Sequence, residues 1–495
     1  MAFIEAGSSF PPENWAYWFR KWREWEAWYS GDPQQLLELY SSIDLYPDTE
    51  TGRFWARLEK EERQTGVHIP AAGDIAATSS NLLFAEMPKI EYDEAAKNSG
   101  DRISMFIKEN GLLQKLLEAA ELAAALSGVF LKLDIEPDLV KIPILTCILP
   151  SQAFPTFWRD RLSEVLFYRV VKETQGGERV WRLFENRSRD NGYLLIEYRL
   201  YRGTKVKIGR EVDMESIEET KYLKLEDIRY KMEGLGCVYV PNMRPNRLDP
   251  NSPMGINDFD SVISLMDSLD FTWSSLIRDI EMGLAQVLID QEILDINSKF
   301  NKFQKAFVKL KLAPWRLGGE SIKPIEQVQF DIRVEQHLKA CESLFTQIVT
   351  QSGYSAQTFG LNIDGKAESG TALRIRERKS LLTREKKGRY WQPALASLFM
   401  QMQQMDIQSN LSTSYKPQEV TITLEDSIII DPKDVSETIR NLEQAKTVST
   451  YSKVKRLNPE WEETAIEEEV DKILKEQGIN DLPFENTNKT EVTDE

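Results

Sequence analysis

Residues 258–285 set Val262, Met266, Leu269, Trp273, Leu276 and Ile280 at alternating steps of four and three. That spacing draws a single apolar stripe along an α-helix. The same stripe returns in 332–352 at Val334, Leu338, Cys341, Phe345 and Ile348. Two long helices with matching seams, separated by an insert at 286–332, are expected to pack as an antiparallel pair with the insert at their far end. At 1.5 Å per residue the first helix would be about 42 Å long. Asn257 or Asp258 is placed to cap it, and its remaining faces are rich in Asp and Ser.

The second helix runs into GLNIDGKAESGTALRIRERK, residues 360–379. Its start, G-x-x-x-x-G-K-A, is one side chain away from a phosphate-binding P-loop. That motif has three requirements that this stretch does not meet. Position 367 is Ala, so the hydroxyl that would hold magnesium is missing. The segment feeding the loop has helical period, where a P-loop needs a strand. No apolar strand ending in Asp offers a second magnesium ligand. A P-loop ATPase is therefore disfavoured. What Gly353, Gly360, Gly365 and Gly370 with Asn362 and Asp364 do specify is an adaptable polar loop between two strong helices. Ser369 or Thr371 can cap the third helix. Such a loop suits either a plain connection or a contact and gating element.

That third helix is expected from about Thr371 to Met405. Its first half, 374–389, carries eight basic and two acidic residues. Its second half is apolar at Tyr390, Trp391, Leu395, Leu398, Phe399, Met402 and Met405, with Pro393 as a possible kink.

Upstream, Trp15, Trp18, Trp22, Trp25 and Trp28 line one face of a helix over 13–29. Docking on its own fold or on a neighbouring subunit is favoured over a membrane surface, because the intervening charges are mixed in sign. Residues 53–66, the small-residue segment 69–88 and 101–127 read as helical. From Gly128 to about 240, strand-length alternation with turn residues between predicts a mostly antiparallel β region. VPNMRPNRLDPNSPMG, 240–255, contains four prolines and reads as an irregular connection. Within the insert, 299–316 holds six basic residues, no acidic ones, and Phe300, Phe303, Phe307 and Trp315. Single-strand stacking is one reading; a short amphipathic helix and strand with a solvated face is preferred. EVTITLED, 419–426, reads as a strand. Residues 432–477 read as charged amphipathic helices, the last starting at Asn458–Pro459. The tail from 478 reads as disordered and acidic.

The chain has 495 residues and a formal net charge of −17, which disfavours a general nucleic-acid binder. Cys147, Cys237 and Cys341 lie far apart, and His68 and His337 are the two histidines. Neither a disulfide framework nor a zinc site is expected, nor any cofactor, and these residues read as core fillers. No secretory signal and no apolar run long enough to span a bilayer are read, so no membrane partner is expected.

Four stretches, in this order, resemble the portal proteins of tailed bacteriophages, the branch found in phages of Gram-positive bacteria. They are NLLFAEMPKI (81–90), ILPSQAFPTFWRDRLSEVLF (148–167), SPMGINDFDSVISLMDSLDFTWSSLIRDIEMG (252–283) and GYSAQTFGLNIDGKAESGTALRIRERKSLLTREKKGRYW (353–391). None is a catalytic signature, and the likeness covers nearly the whole chain. It implies an α+β, mainly α, portal fold with wing, stem, clip and crown in a closed homo-oligomeric ring. The implied division is wing 1–255, first stem helix 256–285, clip 286–332, second stem helix 333–353, tunnel loop 354–370, long wing helix and strand 371–431, crown 432–477, and tail 478–495.

The resemblance further implies a non-enzymatic conduit at one capsid vertex, through which double-stranded DNA is packaged and ejected. The implied partners are eleven further copies of the chain, the terminase large subunit, a head-completion adaptor, and the major capsid and scaffolding proteins. Assembly would take place in the host bacterial cytoplasm. Candidate site residues follow from this frame. Asn362, Asp364, Lys366 and Glu368 would face the DNA channel. Lys299, Lys302, Lys305, Lys309 and Lys311 would form a basic clip patch. Arg374, Arg376, Arg378 and Lys379 would pair with an acidic face of the neighbouring subunit. An acidic pore that avoids tight phosphate binding would let DNA slide. The alternatives are another virion structural protein, such as a capsid shell subunit, and the P-loop ATPase.

Overall fold

The N-terminal tryptophans fix the first helix. A 3-10 turn, Glu13–Trp15, leads into α1 (Ala16–Ser30). Trp22, Trp25 and Trp28 are fully buried, so the stripe docks on its own fold. Each buried indole also needs a partner for its N–H. Trp25 Nε1 donates to Asp260 Oδ1 at 2.9 Å and Trp28 Nε1 to the Tyr40 hydroxyl at 2.9 Å. At roughly 25 cal/mol per Å² and 150–250 Å² per ring, the three contribute at most about 11–19 kcal/mol.

The computed structural model describes residues 3–41, 52–58, 66–92, 97–174, 176, 178–221, 228–282, 286–290, 307–310, 325–328, 333–361, 370–409, 411, 415–424, 432–444, 447–458, 461 and 463–476. For 97, 282, 286–290, 307–310, 325–328, 370–374, 432–435 and 437–438 it describes the backbone alone. The chain divides into two units, 1–362 with 379–425, and 363–378 with 426–495.

In the first unit α2 (Pro33–Ser41), α3 (Phe54–Arg57) and α4 (Ala71–Phe84) follow α1. The helix expected over 53–66 is described only as α3, since 59–65 lie outside the described residues. After β1 (Lys89–Glu91), the single helix expected over 101–127 is two: α5 (Lys97–Glu109) and α6 (Leu112–Leu126). The break falls at Asn110-Gly111. Gly111 takes φ +55°, a left-handed conformation that glycine adopts without a Cβ penalty. The Asn110 side chain donates to the Phe106 and Pro143 carbonyls and accepts from Leu145 N.

The β region appears as expected. Its strands are β2 (Gly128–Asp134), β3 (Ile144–Ile148), β4 (Ala153–Trp158), β5 (Arg161–Glu173), β6 (Val180–Asp190), β7 (Tyr193–Thr204), β8 (Lys207–Val212), β9 (Ile228–Tyr230) and β10 (Cys237–Pro241). All their pairings are antiparallel. One sheet runs β4-β5-β6-β7-β8 with β9 on β7, the other β10-β2-β3. The outer edge of β8 is covered by the N-terminal segment. Phe10 N donates to Val206 O, and Ile208 N to Ser8 O. This shields main-chain groups that an open edge would offer to another chain.

The two seam helices are α7 (Ile263–Met282), preceded by a 3-10 turn at Asp260–Val262, and, after the insert, α8 (Val334–Gln351). The insert contributes β11 (Gln286–Asp290), β12 (Phe307–Leu310) and β13 (Ile325–Val328). They form a sheet in the order β12-β11-β13, with β11 parallel to β12 and antiparallel to β13. The strand expected in 299–316 is β12. The amphipathic helix expected before it lies outside the described residues.

The third helix, α9 (Gly370–Gln408), runs 39 residues with Pro393 inside it. β14 (Thr421–Thr423) pairs antiparallel with β1. The core of α5, α6, β2, β3 and the second half of α9 includes Phe106, Leu116, Phe130, Trp391, Phe399 and Met402.

In the second unit lie α10 (Pro432–Gln444), α11 (Thr450–Leu457) and α12 (Glu463–Glu476). Ser449 caps α11, and Val454 and Ile466 are buried. The last helix starts later than expected. Asn458 closes α11, its N–H donating to Val454 O, and α12 begins at Glu463.

Candidate functional site

The start of α7, the end of α8 and the middle of α9 meet around one buried ion pair. The cap position of the 3-10 turn before α7 falls at Phe259, not at Asn257 or Asp258 as expected, but Asn257 Oδ1 accepts from Asp260 N, the first residue of the turn, at 2.8 Å. That frees Asp258 for another task. Its carboxylate turns inward and accepts from Asn242 Nδ2 at 2.8 Å, the Tyr354 hydroxyl at 2.6 Å and Lys387 Nζ at 2.5 Å. Lys387 also donates to Ser79 Oγ at 2.6 Å and to the Tyr354 hydroxyl at 3.1 Å. Both charged side chains are 1% exposed. Burial pulls the Lys387 ammonium below the usual lysine range, and Asp258 opposes that pull. Burial, then Asp258, pushes the Tyr354 hydroxyl well above the usual range. Such a pair holds only because its remaining donors and acceptors are also satisfied.

The upstream shoulder of the glycine-rich loop is fastened to α9 beside this pair. Gly353 takes φ +100°, and a Cβ there would lie 3.2 Å from Thr383 Oγ1. That hydroxyl instead donates to Gly353 O at 2.6 Å. Ser355 N donates to Ser380 Oγ at 2.8 Å, and Thr358 Oγ1 meets the same hydroxyl at 2.8 Å. A 3-10 turn, Ala356–Phe359, ends at Gly360 with φ +72°. Lys379 Nζ donates to Thr350 O in the last turn of α8, where a cation suits the free carbonyls. Arg384 Nε donates to Leu82 O at 2.6 Å. Part of the basic run 374–389 therefore holds the interior of its own chain together.

The far end of the α7–α8 pair differs. Asp279 accepts from His337 Nε2 at 3.0 Å and Arg333 Nη2 at 3.2 Å, which confirms the antiparallel arrangement. The His337 hydrogen bond leads in holding the Asp279 carboxyl below its usual range. The expected seam does not close here. Ile280, Val334 and Leu338 remain 42%, 39% and 44% exposed, while Val262, Met266, Leu269 and Ile348 are buried.

The Asp- and Ser-rich faces of α7 partly turn inward. Asp270 accepts from Trp55 Nε1, His68 Nδ1 and Ile69 N at 2.7–2.9 Å. Asp267 accepts from Phe54 N, and Ser274 Oγ from Val67 N. Burial pushes both carboxyls above their usual range. Tandem Asp-x-x-Asp-x-x-x-Ser spacing on one helical face was the available signal.

Of the sequence-derived site residues, Asn362, Asp364, Lys366, Glu368, Lys299, Lys302, Lys305 and Lys311 lie outside the described residues. Lys309 sits in β12 opposite Ile289. Arg374 lies near the start of α9, where only the backbone is described. Arg376, Arg378 and Lys379 are exposed on α9. Cys237 and Cys341 are buried core residues, and burial pushes the Cys147 and Cys237 thiols up to about 12. Among the described residues no group of three or more His, Cys, Asp or Glu could hold a metal ion, and no helix is long and apolar enough to cross a membrane.

A 320 Å³ cleft between the two sheets is lined by Lys132, Asp134, Glu185, Arg187 and Tyr198, among others. Its charges neutralise one another: Lys132 Nζ and Arg187 Nε bind Glu185 at 2.8 and 2.5 Å, and Arg187 Nη2 binds Asp134 at 2.7 Å. Burial alone would raise the Glu185 pKa, but Arg187 and Lys132 outweigh it and hold it at about 2.

The family model described as phage portal protein, SPP1 Gp6-like, matches residues 13–480. No curated protein sequence matches. Among solved structures, a chain of the virion of a native gene transfer agent particle is similar, at 10% identity and a TM-score of 0.41, over 80% of this chain and 92% of that one.

Proposed function

Since the chain belongs to the SPP1 Gp6-like family of phage portal proteins, a structural rather than enzymatic family, we propose that it forms a closed ring of twelve copies at one capsid vertex. Double-stranded DNA would pass through that ring during packaging and ejection. The terminase large subunit would dock on it first and the head-completion adaptor later, with the major capsid and scaffolding proteins around it. In this reading α7 and α8 are the stem, 286–332 the clip, 354–370 the tunnel loop, 432–477 the crown, 1–255 and 371–431 the wing, and 478–495 a tail. Assembly takes place in the host cytoplasm and the product resides in the virion.

The observation that carries this reading is the fastening of the loop's shoulder. The segment that leads into the glycine-rich loop leaves the antiparallel helix pair at Gly353 and is pinned to α9 through Ser380 and Thr383. A loop held on stiff supports can touch a moving polymer without dragging its own fold along. Asn362, Asp364, Lys366 and Glu368 are then the residues nearest the DNA. The clip lysines 299, 302, 305, 309 and 311 face docking partners. Arg374, Arg376 and Arg378 face the adjacent copy, while Lys379 closes α8 within its own chain. The segment before the loop is a helix, where a P-loop would need a strand.

Native mass spectrometry and electron microscopy of the purified protein should give closed rings of about a dozen copies. A strict monomer, even with capsid partners present, would sink the reading. Deleting 358–367 should impair packaging or DNA retention while leaving the ring intact.

A further inference from the structure

The β region ends in two exposed turns of opposite character. At one end, β4 and β5 are joined by a tight turn in which Arg159 and Asp160 take φ +48° and +63°. Two consecutive left-handed residues are the signature of a rigid two-residue hairpin. Trp158, at its base, is 69% exposed, and the Arg159 guanidinium lies 5.9 Å from its ring centroid. Arg161 is exposed beside it, and Arg244 pairs with Asp160 at 3.5 Å. The turn is therefore aromatic and cationic.

The connection between β2 and β3 is the reverse. Glu136, Asp138 and Leu139 are exposed, Leu139 at 77%. The turn is ordered, with Leu139 N and Val140 N both donating to Glu136 O. Among the described residues neither Glu136 nor Asp138 has an ion-pair partner.

These turns lie at opposite ends of β2. Arg244 follows Pro241, which pairs with Gly128 at the start of β2, whereas Glu136 follows Asp134 at its end. The seven residues of β2 alone span roughly 23 Å. Within one chain the two turns cannot meet. Complementary patches on opposite ends of one rigid body build a head-to-tail contact.

We propose that the Trp158 turn of one copy docks on the Glu136–Leu139 turn of the next, Arg159 and Arg161 facing Glu136 and Asp138, and Trp158 covering Leu139. This rests on the ring reading above and assigns one of its contacts. Copies that each carry a net charge of −17 repel, so a local cationic patch meeting a local acidic one sets both approach and register. Trp and Arg are also the side chains that most often dominate such contacts.

The test uses two full-length chains, one with Arg159→Glu and Arg161→Glu, the other with Glu136→Lys and Asp138→Lys. All four positions are exposed, so both chains should melt like wild type. Each alone should need at least about tenfold higher concentration to assemble. An equimolar mixture should regain wild-type assembly, with the two chains alternating in native mass spectra. Trp158→Ala should weaken assembly in the same direction. Wild-type assembly by either reversed chain alone, or no recovery on mixing, overturns the contact while leaving the ring reading intact. Intact rings with weakened retention of duplex DNA overturn it in favour of a nucleic-acid contact. Failure of the wild-type chain itself to form rings defeats the ring reading instead.

Discussion

The two halves of the α7–α8 pair share one sequence pattern and meet different fates. Near the loop, Val262, Met266 and Ile348 are buried, and a charged pair is sealed among them by Tyr354, Ser79 and Asn242. At the far end, residues of the same stripe stay open, and the polar contact that ties the helices, Asp279 with His337 and Arg333, sits at the surface. A helix stripe specifies which face must be covered. Whether one neighbouring helix is enough depends on what else packs there. α1, α4 and α9 close around the near half. Rigidity is concentrated where the loop is fastened, and uncovered apolar surface is left where other chains can reach.

The sharpest way to break this contrast is to cut the buried pair. Lys387→Met keeps most of the volume but strands Asp258, and should cost about 3–5 kcal/mol in chemical denaturation. A loss below about 1 kcal/mol would mean the junction is not a lock. Ile348→Ala should then cost about 2–5 kcal/mol, because it empties a closed part of the seam. Acid tests a second buried charge cluster. The Glu185 pKa is held at about 2 in the fold against an ordinary 4.5. Its stabilising effect is present above pH 4.5 and is lost as the pH falls from there towards 2, a change on the order of 3 kcal/mol. Denaturation midpoints across that range should fall for the wild type and stay flatter for Glu185→Gln. Leu338→Ala, at the open end, should change the stability of the unassembled chain by less than about 0.5 kcal/mol while weakening assembly. Smallest of all, Asp279→Ala should leave the denaturation midpoint unmoved, since its partners are held at the surface.

Much of the fold was legible because it is written in periodicity: the tryptophan stripe, the seam pair, the β region and α9 all lie where spacing places them. Periodicity failed where one residue changed the backbone. Asn110-Gly111 splits a continuous apolar run into α5 and α6, and the Asn-Gly pair was the overlooked turn signal. The site was less readable. Lys387 was counted among eight basic residues in a run, although it sits one turn before Trp391 on the stripe that α9 buries. Extending that stripe backwards through Lys387, Thr383 and Ser380 would have found the anchor of the loop. Asp267 and Asp270 were hidden for another reason. Their spacing on one helical face signals a shared polar surface, but their partners are main-chain and ring N–H groups more than 200 residues upstream, which that spacing does not name.

The burial of Trp25 carries a consequence for how the protein is made. Its hydrogen-bond partner, Asp260, lies 235 residues downstream. At translation rates of about 5–20 residues per second, roughly 10–50 s pass between the synthesis of the two. For that interval the tryptophan helix can already pack on α2, α4 and α6, but the acceptor of the Trp25 N–H has not been made. The N-terminal core can therefore collapse early and reach its final hydrogen bonding only when Asp260 arrives, so expression at low temperature should improve the soluble yield.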